Sequence, residues 1–159
     1  MTPLATATVA LVFVCAGVSL ALAVIDVASH RLPNRLVFAF GGTATAVAVL
    51  SAIEAGSARP FIEAVVAGAV LFVLYYLLHR GGGGMGGGDV KLAAAIGLFT
   101  GPLGWQAPLL ATALGFVSGG LVAVVMIAVR CGDRRTRIPF GPFMLAGAWV
   151  AVGGSWVAS

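Results

Sequence analysis

Long apolar runs separated by short polar segments most constrain how this chain can fold. Six such runs occur in 159 residues, and 60% of the sequence is hydrophobic. The runs are Leu4–Ile25, Leu36–Ile53, Phe61–Leu78, Val90–Leu103, Ala107–Val129 and Phe143–Val157. A helix needs roughly 20 apolar residues to cross the hydrocarbon core of a bilayer. The pattern therefore predicts an all-α, polytopic membrane protein with six transmembrane helices in a single domain, residues 1–159.

The low charge content supports this fold class. Charged residues make up 9% of the chain, whereas a soluble domain carries roughly 25%. The first apolar run has no Lys or Arg before it, unlike the basic start of a signal peptide. We therefore interpret this run as a retained transmembrane helix.

The distribution of Lys and Arg predicts how the helices are oriented. Eight of the nine basic residues lie in or beside the first, third and fifth loops, and Arg59 lies in the second. Basic residues favour the cytoplasmic side of a membrane. We therefore expect these three loops in the cytoplasm, both termini on the extracytoplasmic side, and a location in the inner (cytoplasmic) membrane. This excess of basic residues on the cytoplasmic side accounts for the net charge of +4, so membrane lipids are expected around the chain and no nucleic-acid partner is expected.

Two acidic residues lie where apolar runs meet the predicted cytoplasmic side. Asp26 follows the first run and Asp89 precedes the fourth. Ionisable residues at membrane depth usually have a function. Structural roles are also open, because Asp89 is a favoured helix N-cap and Asp26 is close enough in sequence to pair with Arg31. Two neighbouring carboxylates that share a proton supply a base for water and an acid for the leaving group, without a metal or a cofactor.

A glycine-rich segment leads into the fourth apolar run. Seven of the eight residues in Gly81–Gly88 are glycine, and Asp89 follows directly. Glycine lets the backbone approach another chain closely, and irregular backbone is tolerated at membrane depth beside a watery cavity. We therefore interpret the segment as a hinge that delivers Asp89 to Asp26, and we expect it to be mobile without substrate.

Three segments form a recognisable set of motifs. "GMGGGDVKL" contains the pattern G-x-G-D-x-K, formed by Gly86, Gly88, Asp89 and Lys91. "IDVASHRLPNRL" contains an Asp followed seven and eight residues later by Pro-Asn, formed by Asp26, Pro33 and Asn34. "IPFGPFMLAGA" opens the last run and contains Pro139, Gly141 and Pro142.

Together these segments resemble the signatures of the type IV prepilin leader peptidases, which are GxGD-type intramembrane aspartic proteases. The resemblance implies that Asp26 and Asp89 form the catalytic dyad and that the other motif residues support the substrate site. It implies cleavage of the basic leader from type IV pilin-like precursors at the cytoplasmic membrane face, with archaellin precursors as a second substrate class. It implies no cofactor and no metal.

Larger members of this family carry an N-terminal segment with two CxxC pairs, which is linked to N-methylation of the new N-terminus. This sequence begins at its first apolar run and contains no CxxC. It therefore resembles the short, peptidase-only form of Tad/Flp-type pilus systems, and N-methyltransferase activity is not expected.

The residues leave some alternatives open. A small proton- or cation-coupled transporter also uses intramembrane Asp residues and glycine-broken helices, although both Asp here lie toward one face and no inverted repeat is visible. A structural subunit of a secretion machine would leave the Asp pair unexplained.

Lys91 either orients a carboxylate or substrate, or extends to the membrane interface. His30 either faces Asp26 one helical turn away or lies at the interface. Pro33 is expected to end one helix, and Asn34 to cap the next. Pro139–Pro142 is expected to form a turn and a helix start.

Overall fold

The computed structural model describes residues 2–81, 85–129 and 139–158, and these ranges contain six α-helices. The helices are α1 (Pro3–Ser29), α2 (Asn34–Glu54), α3 (Arg59–Arg80), α4 (Gly87–Thr100), α5 (Gln106–Ala128) and α6 (Gly141–Ala158). A short 3₁₀-helix, Gly101–Leu103, follows α4. The described part of the chain is therefore all-helical, with one helix for each predicted apolar run.

Four of these helices, α1, α2, α3 and α5, are long and apolar enough to cross a membrane. Their outward faces carry large apolar side chains, such as Phe13 (73% exposed), Leu20 (68%) and Val117 (67%). An apolar surface of this extent suits contact with lipid rather than with water. The helices and this surface together indicate a multi-pass membrane protein.

Helix α4 lies at the centre of the bundle. It packs against α2, α3, α5 and α6, and nine of its 14 residues are buried. Phe99 of α4 contacts Phe40 of α2 and Trp149 of α6, with ring centroids 5.6 Å and 5.1 Å apart. At about 1.5 Å per residue α4 is roughly 21 Å long, shorter than the roughly 30 Å hydrocarbon core. Its first turn can therefore lie below a membrane surface while neighbouring helices reach it.

Six helix ends lie at one end of the bundle, which we call the motif end. They are the C-terminal ends of α1, α3 and α5 and the N-terminal ends of α2, α4 and α6. The side chain of Lys91 in α4 donates to Oδ1 of Asn34 in α2 at 2.9 Å. The amide of Gly141 at the start of α6 donates to Asp26 near the end of α1. All three sequence motifs therefore meet at the motif end.

The helix boundaries differ from the apolar runs in ways that matter for the site. Asp26 does not follow the first helix but lies within it, because α1 continues to Ser29. The amide of His30 donates to the Asp26 carbonyl at 2.8 Å, and His30 then takes a left-handed conformation with φ 52°. A charged residue ends an apolar run without ending a helix, because the backbone hydrogen bonds continue past it.

The capping expectation for Asn34 is wrong, and the capping alternative for Asp89 is met in a different form. Pro33, and not Asn34, is the N-cap of α2; Asn34 is the first helical residue. Asp89 is the third residue of α4 and not its N-cap, but its side chain caps the helix start by accepting from the amide of Gly86. The expectation that Pro139–Pro142 forms a turn and a helix start is confirmed, since α6 begins at Gly141. The hinge hypothesis rests partly on residues 82–84, and the predicted last basic loop covers residues 130–138; both lie outside the described residues.

Candidate active site

A cavity of about 320 Å³ opens at the motif end of the bundle. It is lined by Asp26, His30, Arg31, Leu32, Asn34, Gly86, Gly87, Gly88 and Asp89. The first five residues come from the α1–α2 connection and its flanks, and the last four from the start of α4. The structure therefore brings the two aspartates, 63 positions apart in the chain, to the walls of one cavity.

Asp26 is 5% exposed and is held by the start of α6. Its Oδ2 accepts a hydrogen bond from the amide of Gly141 at 3.0 Å. A Cβ atom on Gly141 would lie 2.7 Å from this oxygen and 3.4 Å from Cδ2 of Leu32, so a larger residue would displace the carboxylate. The proposed ion pair with Arg31 is not formed among the described residues, where the one salt bridge joins Arg59 to Glu63.

Asp89 is 8% exposed and is held in a parallel way. Its Oδ2 accepts a hydrogen bond from the amide of Gly86 at 2.9 Å. Asp89 is the third residue of α4, and a carboxylate in a first turn is also stabilised by the positive end of the helix dipole. In each aspartate, Oδ2 therefore accepts a hydrogen bond from a glycine amide, and these two hydrogen bonds fix the orientation of both carboxylates.

The described part of the glycine-rich segment has a packing role. The Cβ of a residue at position 88 would lie 3.0 Å from Cβ of Leu32. Within the described chain, glycines with positive φ occur at Gly56 and Gly104, outside this segment. Gly88 is therefore required here for close approach of α4 to the α1–α2 connection, and not for an unusual backbone conformation.

Lys91 points away from the cavity toward α2. Its Nζ donates to Asn34 Oδ1 and lies 5.9 Å from the centroid of the Phe38 ring. Asn34 in turn lines the cavity. Lys91 therefore holds the start of α2 against α4 and acts on the site through Asn34. His30 follows the last turn of α1, and its exposed side chain lines the same cavity as Asp26.

Aromatic packing holds the segment that precedes Gly141. The ring of Phe140 lies 5.3 Å from the ring of Phe116 and 6.5 Å from that of Tyr75, between centroids. Tyr75 is 2% exposed, and its ring also lies 5.4 Å from Phe116. We call Tyr75, Phe116 and Phe140 the aromatic cluster. It anchors the residue next to the amide that binds Asp26.

Three contributors to the site were missed by reasoning from the sequence. Leu32 packs against the positions of Gly88 and Gly141, and Arg31 lines the cavity. The aromatic cluster joins α3, α5 and the start of α6. Leu32 and Arg31 lie in the same short segment as Pro33 and Asn34. The whole α1–α2 connection could therefore have been predicted to line the site. Phe140 lies in the motif between Pro139 and Gly141 and had a signal, but Tyr75 and Phe116 had none, because Phe and Tyr are common in apolar runs.

The arrangement is suited to acid–base chemistry. Burying charge without a partner is unfavourable, so two buried carboxylates on one cavity favour a state in which one of them is protonated. Such a pair contains both a proton acceptor and a proton donor beside space for water. Within the described ranges, no group of three or more His, Cys, Asp or Glu side chains is close enough to hold a metal ion.

Comparison with known proteins identifies relatives across most of the chain. A sequence model of the type IV leader peptidase family matches residues 13–124. A protein of Stutzerimonas stutzeri named prepilin leader peptidase/N-methyltransferase is 33% identical over 138 residues, which is 84% of this chain and 45% of that protein. Proteins of the same name from Pseudomonas putida and Aeromonas hydrophila are 41% and 38% identical over 91 and 85 residues.

These alignments cover the two sequences unequally. The Pseudomonas putida alignment covers 56% of this chain and 31% of that protein, and the Aeromonas hydrophila alignment covers 52% and 28%. The chain therefore spans less than half the length of the curated relatives it matches. No solved structure matches the chain.

Proposed function

Because the chain belongs to the type IV leader peptidase family, we propose that it hydrolyses the leader peptide of type IV prepilin-like precursors, with Asp26 and Asp89 as the catalytic pair. The match to the family covers both aspartates. The printed name of the relatives describes action on prepilins, which supports this substrate class. The proposed product is a precursor shortened by its basic leader.

One observation carries the proposal. Asp26 and Asp89 are both buried on the walls of the same cavity, and each has one oxygen held by a glycine amide. A capping role at the start of α4 would explain the Gly86 contact of Asp89 alone, and the ion pair that would explain Asp26 is not formed among the described residues. Neither explains why two carboxylates share one cavity at the motif end.

The proposed reaction is hydrolysis by an acid–base pair. One carboxylate takes a proton from water, and the water oxygen attacks the carbonyl carbon of the scissile peptide bond. The other carboxylate, which holds the pair's one proton, gives it to the carbonyl oxygen, so that a gem-diol forms. The first carboxylate then gives the proton it took from water to the leaving nitrogen, while the second takes a proton back from a gem-diol hydroxyl. The C–N bond breaks, giving a new carboxylate on the leader and a new amine on the precursor. The protein then returns to its singly protonated pair without a cofactor.

The remaining motif residues have positioning roles in this proposal. Gly141, which lies between Pro139 and Pro142, supplies the amide for Asp26, and Gly86 supplies the amide for Asp89. Gly88 lets α4 approach the α1–α2 connection. Pro33 is the N-cap of α2, and Asn34, the first residue of the helix, is in reach of Lys91. These contacts fix where the two carboxylates lie relative to each other.

We place this reaction at the cytoplasmic face of the inner membrane. We propose that the protein crosses the membrane six times, with both termini on the extracytoplasmic side and with lipid around the outer faces of the helices. The distribution of basic residues supports this orientation. Four of them belong to helices or connections at the motif end: Arg31, Arg35, Arg80 and Lys91. Basic residues favour the cytoplasmic side, so the cavity would open there.

The proposal covers peptidase activity and not N-methylation. The name of the relatives includes both activities. The two cysteines of this sequence, Cys15 and Cys131, form no CxxC pair. The proposal therefore assigns to this chain only peptide-bond hydrolysis, which is the reaction that its two aspartates support.

A cation-coupled transporter is the second candidate, and the short central helix α4 is its best support. Transporter sites lie near the bilayer midplane. Asp26 lies three residues before the end of α1 and Asp89 is the third residue of α4, so both lie at one end of the bundle. This position favours the peptidase.

The experiment that separates the two candidates uses the protein reconstituted in liposomes. A prepilin-like precursor with a basic leader is added, and mass spectrometry identifies the products, while a pH-sensitive dye inside the vesicles reports proton flux. The peptidase proposal predicts a single cut between leader and apolar helix, with no flux above protein-free vesicles. Flux that depends on Asp26 and Asp89, with an uncut precursor, would establish the transporter instead.

A further inference from the structure

A second cavity lies on the outer face of the bundle, between α2 and α3. Its volume is about 290 Å³. Phe38 and Gly42 of α2 line one side, Phe72 of α3 lines the other, and Ala94 and Leu98 of α4 form the floor. Phe38 is 65% exposed and Phe72 is 42% exposed, so the cavity opens sideways from the bundle. We call it the α2–α3 groove.

The groove adjoins the catalytic cavity. Lys91 lines the groove, and Asn34 lines the catalytic cavity. The two side chains are joined by the hydrogen bond from Lys91 Nζ to Asn34 Oδ1 at 2.9 Å. A peptide that lies in the groove and continues past this hydrogen bond therefore arrives at the walls that carry Asp26 and Asp89.

The lining of the groove suits a helix that lies in the membrane. It is apolar apart from Lys91 at the motif end and the hydroxyl of Thr45. Small residues at a helix face let a second backbone approach closely in lipid, where packing drives helix association. Gly42 is exposed, and a Cβ added there would meet nothing within 4 Å, so none of the residues that the structure describes fills this face.

We propose that the α2–α3 groove docks the apolar helix of the precursor and directs the peptide bond before it past Asn34 into the cavity of Asp26 and Asp89. This inference rests on the proposed function and adds the surface that reads the membrane part of the substrate. The position of the groove beside the catalytic cavity, across the Lys91–Asn34 hydrogen bond, selects a substrate helix over a lipid acyl chain as the occupant. The leader enters from the aqueous side, and the apolar helix enters from the lipid side.

A matched pair of glycines tests the docking surface. Gly42 and Gly17 are both exposed glycines within helices, and a Cβ on either would meet nothing within 4 Å, but Gly17 lies on α1 away from the groove. Gly42→Leu and Gly17→Leu are compared on two substrates: the full precursor, and a short soluble peptide with the same leader and cleavage site but no apolar helix. The measured quantity is kcat/KM for the precursor divided by kcat/KM for the peptide.

The proposal predicts that Gly42→Leu lowers this ratio on the order of tenfold, which corresponds to about 1.4 kcal/mol and is the scale of an overpacked contact. Gly17→Leu keeps the wild-type ratio. Equal ratios for the two variants would overturn the docking proposal, and the peptidase proposal would stand as long as the wild-type protein cleaves both substrates.

Photocrosslinking tests the docking surface without cleavage. A photoreactive amino acid replaces Thr45 or, as the control, Gly17, in the Asp89→Asn variant, which keeps the precursor intact. The proposal predicts an adduct from position 45 to the apolar helix of the precursor, and much less from position 17. Adducts to lipid alone at position 45 would assign the groove to lipid and overturn the proposal. If the wild-type protein cleaved neither substrate, the peptidase proposal would fail, and this adduct would still decide whether the groove binds the helix.

Discussion

The amide of Gly141 donates a hydrogen bond to Oδ2 of Asp26 at 3.0 Å, across 115 positions of the chain. The contact joins the first helix of the bundle to the start of the last one. It also explains why the Pro-Phe-Gly-Pro motif carries a glycine, because a Cβ at position 141 would lie 2.7 Å from the same carboxylate oxygen.

We therefore expect Gly141→Ala to lower kcat/KM for precursor cleavage by roughly 10- to 100-fold, since a hydrogen bond to a charged group contributes about 1.5–3 kcal/mol. The matched control is Gly154→Ala in the same helix, where an added Cβ would meet nothing within 4 Å. Cleavage rates of purified variants in liposomes measure the difference. Equal rates for the two variants would show that the Gly141 contact does not position Asp26.

Close packing at the start of α4 gives a second prediction. Gly88→Val should reduce cleavage more than it reduces folding, because its Cβ would lie 3.0 Å from Cβ of Leu32 and push Asp89 away from Asp26. Gly120→Val in α5 is the control, since a Cβ there has nothing within 4 Å. Cleavage is measured together with the thermal unfolding midpoint in detergent. Normal cleavage by Gly88→Val would contradict the packing role of this glycine and the hinge hypothesis, although the catalytic pair could stand.

The aromatic cluster should act on Asp26 through Gly141. Phe140→Ala removes two ring contacts, each worth about 0.5–1.5 kcal/mol, and frees the residue before the Gly141 amide. We expect kcat to fall several-fold while KM changes little, and Phe140→Tyr to restore most of the loss. Phe13→Ala, at a position that is 73% exposed on α1, is expected to leave both constants unchanged. Steady-state kinetics of the three variants test this, and a rise in KM alone would argue against a positioning role.

The proposed orientation in the membrane is open to a separate test. A reporter that is active only outside the cytoplasm should be active when fused after Glu54 and inactive when fused after Asp133. This follows because eight of the nine basic residues lie in or beside the first, third and fifth loops. The opposite pattern at both positions would place the cavity on the extracytoplasmic side.

Much of the fold is predictable from the sequence, because lipid imposes a simple rule. A chain in hydrocarbon must satisfy its backbone hydrogen bonds within helices. Each apolar run therefore predicts a helix, and each of the six runs corresponds to one. The meeting of the motifs at one end follows from the alternating direction of successive helices, because every second connection then lies on the same side of the bundle.

The details of the site are less predictable, because they depend on contacts between distant residues. The first apolar run ends before Asp26, but the backbone hydrogen bonds of α1 continue to Ser29. Asn34 reads as a cap from its residue type, but its side chain binds Lys91 of α4. The Gly141 contact with Asp26 has no periodic signal at all, since it depends on how α1 and α6 pack.

Cleavage by single aspartate variants tests the central claim most directly. Asp26→Asn and Asp89→Asn are nearly isosteric but cannot accept or share the catalytic proton. The control is Glu54→Gln, whose carboxylate lies at the opposite end of α2 and contacts Thr8. With a prepilin-like precursor in liposomes, each Asp variant should insert normally and show no detectable cleavage, while Glu54→Gln cleaves at the wild-type rate. Full cleavage by either Asp26→Asn or Asp89→Asn would contradict the account.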